Sequence, residues 1–254
     1  VAGAAIATGL SQCVGGVLPL IYFLRPNDSL LRMRPTSLRL RPILQACGNG
    51  SSELMSNISS SLVGMLYNFQ LMHLIGEDGV SAYGVLMYVQ FIFVAIFIGY
   101  SIGCAPVVSF HFGAQNHSEL KSLLRKSTLL MASGGVLLTI AARLLAAPLA
   151  HLFVGYDAGL FELTSHAFRL FSWSFLLAGF NIFASGFFTA LNNGAISAAI
   201  SFLRTLVFQT ASVLILPLLL DVDGIWWAIT VAEIFAFLIS LMFLYLKRNK
   251  YHYL

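Results

Sequence analysis

Long apolar runs separated by short polar breaks dominate the sequence. An α-helix needs about 20 residues to cross the roughly 30 Å hydrocarbon core of a bilayer. Seven stretches meet this length: residues 1–24, 47–74, 82–108, 124–147, 168–190, 196–220 and 224–246. Their apolar residues are continuous and do not alternate with period two, as they would in membrane strands. The pattern predicts an all-α membrane protein with seven transmembrane helices, of which the second is the most polar.

The breaks between the runs are rich in Gly, Asn and Asp. These residues favour turns, because Gly accepts positive φ angles and Asn and Asp hydrogen-bond to the nearby backbone. The predicted turns are Gly76–Gly79, His117–Glu119, Gly155–Asp157, Asn192–Gly194 and Asp221–Gly224.

Composition narrows the class further. Hydrophobic residues make up 58% of the 254 residues and charged residues 9%, whereas a soluble domain carries about 25% charged residues. A soluble enzyme and a nucleic-acid-binding domain are therefore excluded. The three cysteines and six histidines show no metal-binding spacing, and the chain has no HExxH, GxSxG or Walker motif. We expect neither an enzyme nor a resident cofactor or metal.

The basic residues lie in alternate loops of this map. Twelve of the fourteen are Arg25, Arg32, Arg34, Arg39, Arg41, Lys121, Arg125, Lys126, Arg204, Lys247, Arg248 and Lys250. The opposite loops contain acids and no Lys or Arg; Arg143 and Arg169 lie near the outer ends of their spans, where long side chains reach the interface. The positive-inside rule therefore places the C-terminus in the cytoplasm and residue 1 outside.

Two carboxylates fall inside the predicted spans, where ionisable groups are costly and point to function. Glu53 belongs to a polar stripe on the second span, within an arc of about 100°. The stripe consists of Glu53, Asn57, Ser60, Ser61, Gly64 and Asn68. Such a stripe faces other helices or a water-filled cavity and not lipid. A cavity lining is our first interpretation, and interhelical packing is the alternative.

Glu233, in the last span, is open to two interpretations. It is either a proton or cation site, or a structural acid capped by a basic or amide group, and Arg204 could pair with it across the bundle. The fifth span has a lesser stripe of Ser174, Ala178, Asn181 and Ser185, which fits close packing as well as a cavity.

Aromatic residues cluster at the outer ends of the second and third spans. The cluster consists of Tyr67, Phe69, Tyr83, Tyr88 and Phe91. Its members could line a pocket for flat cationic compounds through cation–π contacts, or could simply pack against neighbours and lipid.

Several blocks of the sequence, in this order, resemble the MATE (multidrug and toxic compound extrusion) transporters. The blocks are Glu53–Ser61, Gly79–Val85, Gly99–Pro106, Phe110–Asn116, Phe187–Asn192, Ser201–Arg204, Leu216–Pro217 and Gly224–Glu233. That family has twelve helices in two six-helix bundles. The resemblance implies that residues 1–24 correspond to helix 6, residues 25–41 to the cytoplasmic inter-bundle loop, and residues 42–254 to helices 7–12. Because Val1 lies within an apolar run, we expect a C-terminal part of a longer protein that lacks helices 1–5.

The resemblance also implies a function: Na⁺- or H⁺-coupled multidrug efflux by antiport, in a bacterial inner membrane. Glu53 matches the helix 7 acid that binds the coupling cation in one branch of the family. The helix 10 equivalent has Asn181 and no acid, which leaves the choice of ion open. We take Glu53 and Glu233 as candidate cation-coupling residues.

Candidate substrate contacts are Asn57, Ser61, Asn68 and Asn181, between this bundle and the missing N-terminal bundle. The expected substrates are small, drug-like organic cations. Two alternatives remain, a lipid-linked oligosaccharide flippase of the same superfamily and a membrane scaffold without transport. The flippase would favour a cationic cavity, whereas the deep charges here are Glu53, Glu233 and Arg204.

Overall fold

The computed structural model describes residues 2–25 and 39–253, and this part of the chain is helical with no strand. It divides into two compact units, residues 1–43 and 44–254. The first unit contains α1 (Ala2–Leu24), an apolar helix with Pro19 inside it, and the beginning of α2. Most of the predicted Arg-rich loop, including Arg32 and Arg34, lies in residues 26–38, outside the described residues.

Within the described ranges, eight further α-helices follow α1. They are α2 (Leu40–Leu74), α3 (Glu77–Gly113), α4 (His117–Val154), α5 (Ala158–Phe171), α6 (Phe175–Ala190), α7 (Gly194–Phe202), α8 (Thr210–Ile215) and α9 (Pro217–Tyr251). A single 3₁₀ turn, Ser172–Ser174, joins α5 to α6. A π-helical segment, Leu203–Gln209, joins α7 to α8.

Six helical segments among the described residues are long and apolar enough to cross a membrane. They are Ala5–Leu24, Glu77–Gly113, His117–Val154, Ala158–Ala190, Gly194–Ile215 and Pro217–Tyr251. The remaining predicted span lies in α2. This helix is long enough, with 35 residues, but it is too polar to be counted with the six apolar segments. The all-helical membrane fold is confirmed, and its most polar helix is the one that the sequence indicated.

Turns occur near the predicted breaks, and the helices run further than expected. Gly155–Asp157 separates α4 from α5 as predicted, and the Asp157 carboxylate caps α5 by accepting from the amides of Gly159 and Leu160. Residues 117–119 form the first turn of α4 and not a break, because the Asn116 side chain accepts from the Glu119 amide and caps the helix there.

The break predicted over Asp221–Gly224 is present, as a kink at Asp221 between two helical stretches. α9 begins earlier, at Pro217, where the missing amide hydrogen costs nothing in the first helical turn. The chain then kinks at Asp221, with φ 49° and ψ −133°. Gly224 permits this kink, because a Cβ atom there would collide with the Leu216 carbonyl.

Helix α6 occupies the centre of the second unit. It packs against α3, α4, α7 and α9, and its buried residues include Phe183, Ala184, Phe187 and Phe188. A helix that is apolar on all sides is buried in this way. The residues that α6 carries are therefore held firmly by their neighbours.

The two ends of the second unit differ in charge, because acidic residues lie in or beside the turns at one end and most Lys and Arg residues lie at the other. We call the end with turns 75–76 and 155–157 and the Asp221 kink the acidic end. We call the end with turns 114–116 and 191–193 and the chain end 251–253 the basic end. His166 and Asp223 pair at 2.8 Å at the acidic end. At the basic end Asn193 Nδ2 donates to Tyr251 Oη at 2.7 Å.

Candidate functional site

Helix α2 presents two different faces. Ser59, Val63, Tyr67 and Leu71 recur every four residues and are buried against the bundle. The polar face of α2, which consists of Glu53, Asn57, Ser61 and Asn68, is exposed. The periodicity of the sequence therefore predicted the stripe correctly, and the structure turns it away from the core of its own unit.

The polar face is partly satisfied by its own helix. Asn57 Nδ2 donates to the Glu53 carbonyl at 2.8 Å, and Ser61 Oγ donates to the Asn57 carbonyl at 3.1 Å. The Glu53 carboxylate accepts no hydrogen bond from the described residues. This carboxylate is thus open to a ligand that approaches the exposed side of α2.

Helix α2 is attached to the bundle near both ends of its 44–74 portion. Asn49 Nδ2 donates to the Thr189 carbonyl at 3.3 Å, and a Cβ atom on Gly194 would collide with the Asn49 backbone. Towards the other end, the rings of Tyr67 and Tyr83 stack at 4.9 Å between centroids. These attachments hold Glu53, which lies between them, at a defined place along the bundle.

A pocket of about 350 Å³ lies between α2 and α3 near the acidic end. The aromatic pocket, as we call it, is lined by Asn68, Val80, Tyr83, Gly84, Met87, Tyr88 and Phe91. Three of the five aromatic residues singled out from the sequence line it. Tyr67 is buried beneath the Tyr83 ring and Phe69 is exposed elsewhere. The pocket also includes Asn68 from the polar face of α2.

Glu233 is buried, with 2% of its side chain exposed, and its carboxylate forms a salt bridge with Arg204. Arg204 Nη2 and Nε donate to Glu233 Oε1 at 2.6 and 2.9 Å, and Nε also lies 3.1 Å from Oε2. Asn181 Nδ2 donates to Oε2 at 2.7 Å and to the Glu233 carbonyl at 3.0 Å. We call Arg204, Glu233 and Asn181 the Arg204 cluster.

The Arg204 cluster corrects one expectation about position. Asn181 was grouped with the residues of the polar face of α2, but it is completely buried inside the bundle. Asn181 is buried there because the buried Glu233 carboxylate needs hydrogen-bond donors, and an amide on the central helix supplies one. Both kinds of capping group considered for Glu233, a base and an amide, are present together.

The lesser stripe of the fifth predicted span is a packing face. Ser174, Ala178 and Asn181 are buried. Ser185 Oγ hydrogen-bonds with Ser197 Oγ and Ser201 Oγ on α7, each at 2.9 Å. Of the two interpretations of this stripe, close helix packing is the one that the structure supports.

The chain end forms a contact that the sequence did not suggest. His252 adopts a left-handed conformation (φ 52°) and lets Tyr253 fold back, where its hydroxyl donates to the Leu244 carbonyl at 3.0 Å. Burial, and secondarily the neighbouring Tyr251, raise the pKa of the Tyr253 phenol. The sequence signal for this contact was a pair of tyrosines on either side of one polar residue, close to the basic end of the last helix.

No cluster of His, Cys, Asp and Glu suited to a metal ion occurs among the described residues. The polar face of α2 instead presents the carboxylate of Glu53 with small polar side chains, and the aromatic pocket includes Asn68 from the same face. On a helical, membrane-spanning scaffold, a polar face beside an aromatic pocket is typical of the transporter class of membrane proteins.

Comparison with known proteins agrees with this class. The MatE family profile matches residues 54–214, and the chain belongs to this family, whose members are transporters and not enzymes. The chain is 21% identical to the multidrug export protein MepA of Staphylococcus aureus and 23% identical to that of Staphylococcus saprophyticus. Each alignment covers 98% of this chain and 55% of the relative, so the chain spans about half the length of the curated relatives it matches.

Solved structures show the same fold. The chain is similar to a MATE protein crystallised in complex with MaL6, with a TM-score of 0.90, 19% identity and coverage of 98% of this chain and 57% of the other. It is similar to an outward-facing multidrug resistance MATE transporter, with a TM-score of 0.88, 20% identity and coverage of 98% and 56%. A MOP superfamily transporter from Pyrococcus furiosus follows with a TM-score of 0.83, 22% identity and coverage of 96% and 56%.

Proposed function

We propose that this chain supplies one bundle of a cation-coupled multidrug efflux antiporter in a bacterial inner membrane. The observation that carries the proposal is the polar face of α2, with Glu53 exposed on it. In a membrane protein such a face must meet another protein surface or water, because lipid cannot satisfy its polar groups. The MepA relatives are longer than this chain, which supports a second bundle opposite α2.

Glu53 is our candidate for the coupling site. Its carboxylate is free of donors from the described residues, so a proton or Na⁺ can bind without displacing a protein partner. Cation binding would neutralise a charge that is costly in a low-dielectric cavity and so favour one arrangement of the two bundles. Antiport follows if substrate and cation favour opposite arrangements.

The aromatic pocket is our candidate for the substrate contact. It is an open groove of about 350 Å³ along α3, so this chain would form one wall of a substrate site and the second bundle the other. The exposed rings of Tyr88 and Phe91 are available to a flat organic cation, and Asn68 offers an amide. Asn57 and Ser61, further along the polar face of α2, would extend the contact towards Glu53.

The charge distribution supports an orientation. Lys247, Arg248 and Lys250 lie near the basic end of α9, and Glu77 and Asp78 open α3 at the acidic end. The positive-inside rule then favours a cytoplasmic C-terminus and an aromatic pocket near the outer surface.

The coupling role is tested by Glu53→Gln in the full-length gene product that contains this sequence, reconstituted in liposomes. Efflux of a fluorescent organic cation is driven by a Na⁺ or proton gradient. We expect the substitution to abolish gradient-driven efflux while insertion is preserved, because the amide cannot exchange a cation. Glu77→Gln, which removes an exposed acid at the start of α3, is the matched control and should transport normally. Wild-type rates from the Glu53 variant would refute the coupling role.

The substrate contact is tested by Phe91→Ala in the aromatic pocket. Loss of one exposed cation–π contact of about 0.5–1 kcal/mol should weaken binding of a planar cationic dye roughly two- to fivefold. Binding is measured by fluorescence titration in detergent. Phe110→Ala is the control, since Phe110 is a similarly exposed ring near the opposite end of the same helix. Equal dye affinities in the two variants would exclude the pocket.

A further inference from the structure

The Arg204 cluster joins three elements in the interior of the bundle. Arg204 is the second residue of the π-helical segment Leu203–Gln209, Glu233 is on α9, and Asn181 is on α6. The Arg204 side chain is 19% exposed and the Glu233 side chain 2% exposed. A carboxylate so deeply buried is stable only with a well-placed partner charge and further hydrogen bonds.

The hydrogen bonds of the cluster leave little room for another cation. Each oxygen of the Glu233 carboxylate accepts two hydrogen bonds, three from Arg204 and one from Asn181. The contacts of 2.6 to 3.1 Å are those of a charge-assisted pair. Sodium binding at this carboxylate would have to displace the guanidinium and leave it buried without a partner.

The backbone at Arg204 has an unusual form. In a π-helix each amide bonds to the carbonyl five residues before it, so a turn takes up one more residue than in an α-helix. Such segments are rare and frequently occur at functional sites. Conversion of Leu203–Gln209 to an α-helix would rotate α8 relative to α7 by about 100°, the angle of one helical residue. Some interaction must therefore compensate for the less favourable backbone.

We propose that Arg204 is a positioning residue. Its pairing with Glu233, which Asn181 supports, holds the span Gly194–Ile215 in its π-helical register against α6 and α9, and the cluster binds no coupling ion. Glu233, one of the two carboxylates considered for cation coupling, is then a fixed internal counter-ion. Ion coupling is left to Glu53.

The register is tested with a nitroxide attached to V207C, in a background where Cys13, Cys47 and Cys104 are replaced by alanine. Val207 is 38% exposed within the π-helical segment, and Val136 on α4, 48% exposed, gives the matched control label as V136C. Arg204→Gln should change the oxygen accessibility of the label at 207 and leave the label at 136 unchanged. No change at 207 in a folded Arg204 variant would overturn the positioning role.

The charge exchange Arg204→Glu with Glu233→Arg separates positioning from ion binding. It restores the pair, and Asn181 can offer its Oδ1 atom, which has no partner among the described residues, to the new guanidinium. We expect recovery of both the label accessibility at 207 and the gradient-driven efflux. Recovery of the accessibility without gradient-driven efflux would show that an acid at 233 is needed for coupling, and would overturn the proposal.

The unmodified pair provides a measurement that does not depend on the folding of any charge variant. With only the label at 207 present, addition of Na⁺ or a fall in pH should leave its accessibility unchanged, and a change would mean that a cation displaces Arg204. The efflux measurement rests on the proposed antiport function, whereas the label measurements do not. If no protein sample showed efflux but the accessibility of the label at 207 behaved as expected, the proposed function would be refuted. The positioning role of Arg204 would remain intact.

Discussion

Glu53 and Glu233 are the two carboxylates that fall inside the spans predicted from the sequence, and their surroundings in the structure are opposite. Glu53 is exposed on the polar face of α2, and its carboxylate accepts nothing from the described residues. Glu233 is buried and accepts from Arg204 and Asn181. Glu53 can bind a ligand without losing a protein partner. Glu233 cannot lose a partner without leaving a buried charge unpaired. The same residue type is therefore open to a ligand in one place, as we propose for Glu53, and part of the packed core in the other.

The two supporting helices differ in the same way. α9 packs against α5, α6, α8 and the π-helical segment, so Glu233 is fixed from several sides. α2 contacts the bundle through one buried row and two attachments near its ends. A site that must exchange ions is better placed on a loosely attached helix such as α2, because the surroundings of the site can change without breaking the core.

The largest effect that would sharpen this comparison is expected for Arg204→Met. Removal of one partner from a buried ion pair costs about 3–5 kcal/mol, because Glu233 would keep its charge without a counter-ion. Thermal unfolding in detergent should show a large decrease in stability. Glu53→Gln is the matched control, and its effect should stay within about 0.5 kcal/mol, as for other exposed positions. Similar losses in the two variants would remove the distinction between the carboxylates.

A smaller loss is expected for Asn181→Ala. The substitution removes the amide that donates to Glu233 Oε2 and to the Glu233 carbonyl, and unsatisfied buried acceptors cost about 1–3 kcal/mol. The control is Asn57→Ala, because that amide bonds only to its own helix on an exposed face. Chemical or thermal unfolding should rank Asn181→Ala clearly below Asn57→Ala in stability. The reverse order would mean that Glu233 does not need the amide.

Sequence reasoning predicted the helices better than their ends and interruptions. Continuous apolar runs identify helices because the bilayer admits few alternatives, and turn residues at Gly155 and Asn192 located breaks correctly. The break at Asp221 was located correctly, although not its form as a kink. The π-helical segment Leu203–Gln209 was not predicted. At Gly224 the turn residue was visible in the sequence, but the close approach of the Leu216 carbonyl, which leaves no room for a Cβ atom, was not.

The same limit applies to the candidate site. The polar face of α2 was predictable, because residues on one helix have fixed angular positions. The pair Arg204–Glu233 was foreseen only as one option, since two helices with unknown register can bring many pairs together. Asn181 was assigned to the wrong neighbours for this reason, as its contact with Glu233 joins residues 52 positions apart.

The smallest effect is expected at the exposed contact between His166 and Asp223, and it tests whether burial is what distinguishes Glu233. His166 Nε2 and Asp223 Oδ1 lie 2.8 Å apart, close to the separation in the Arg204 pair, but their side chains are 52% and 49% exposed. Water already solvates both groups, so Asp223→Asn should cost at most about 1 kcal/mol. Thermal unfolding at low and high salt is the measurement, and any loss should shrink further at high salt because ions screen exposed charges. A loss comparable with that of Arg204→Met would mean that pair geometry, and not removal from water, sets the stability of these contacts. In that case the exposure of Glu53 would no longer support its proposed role in cation exchange.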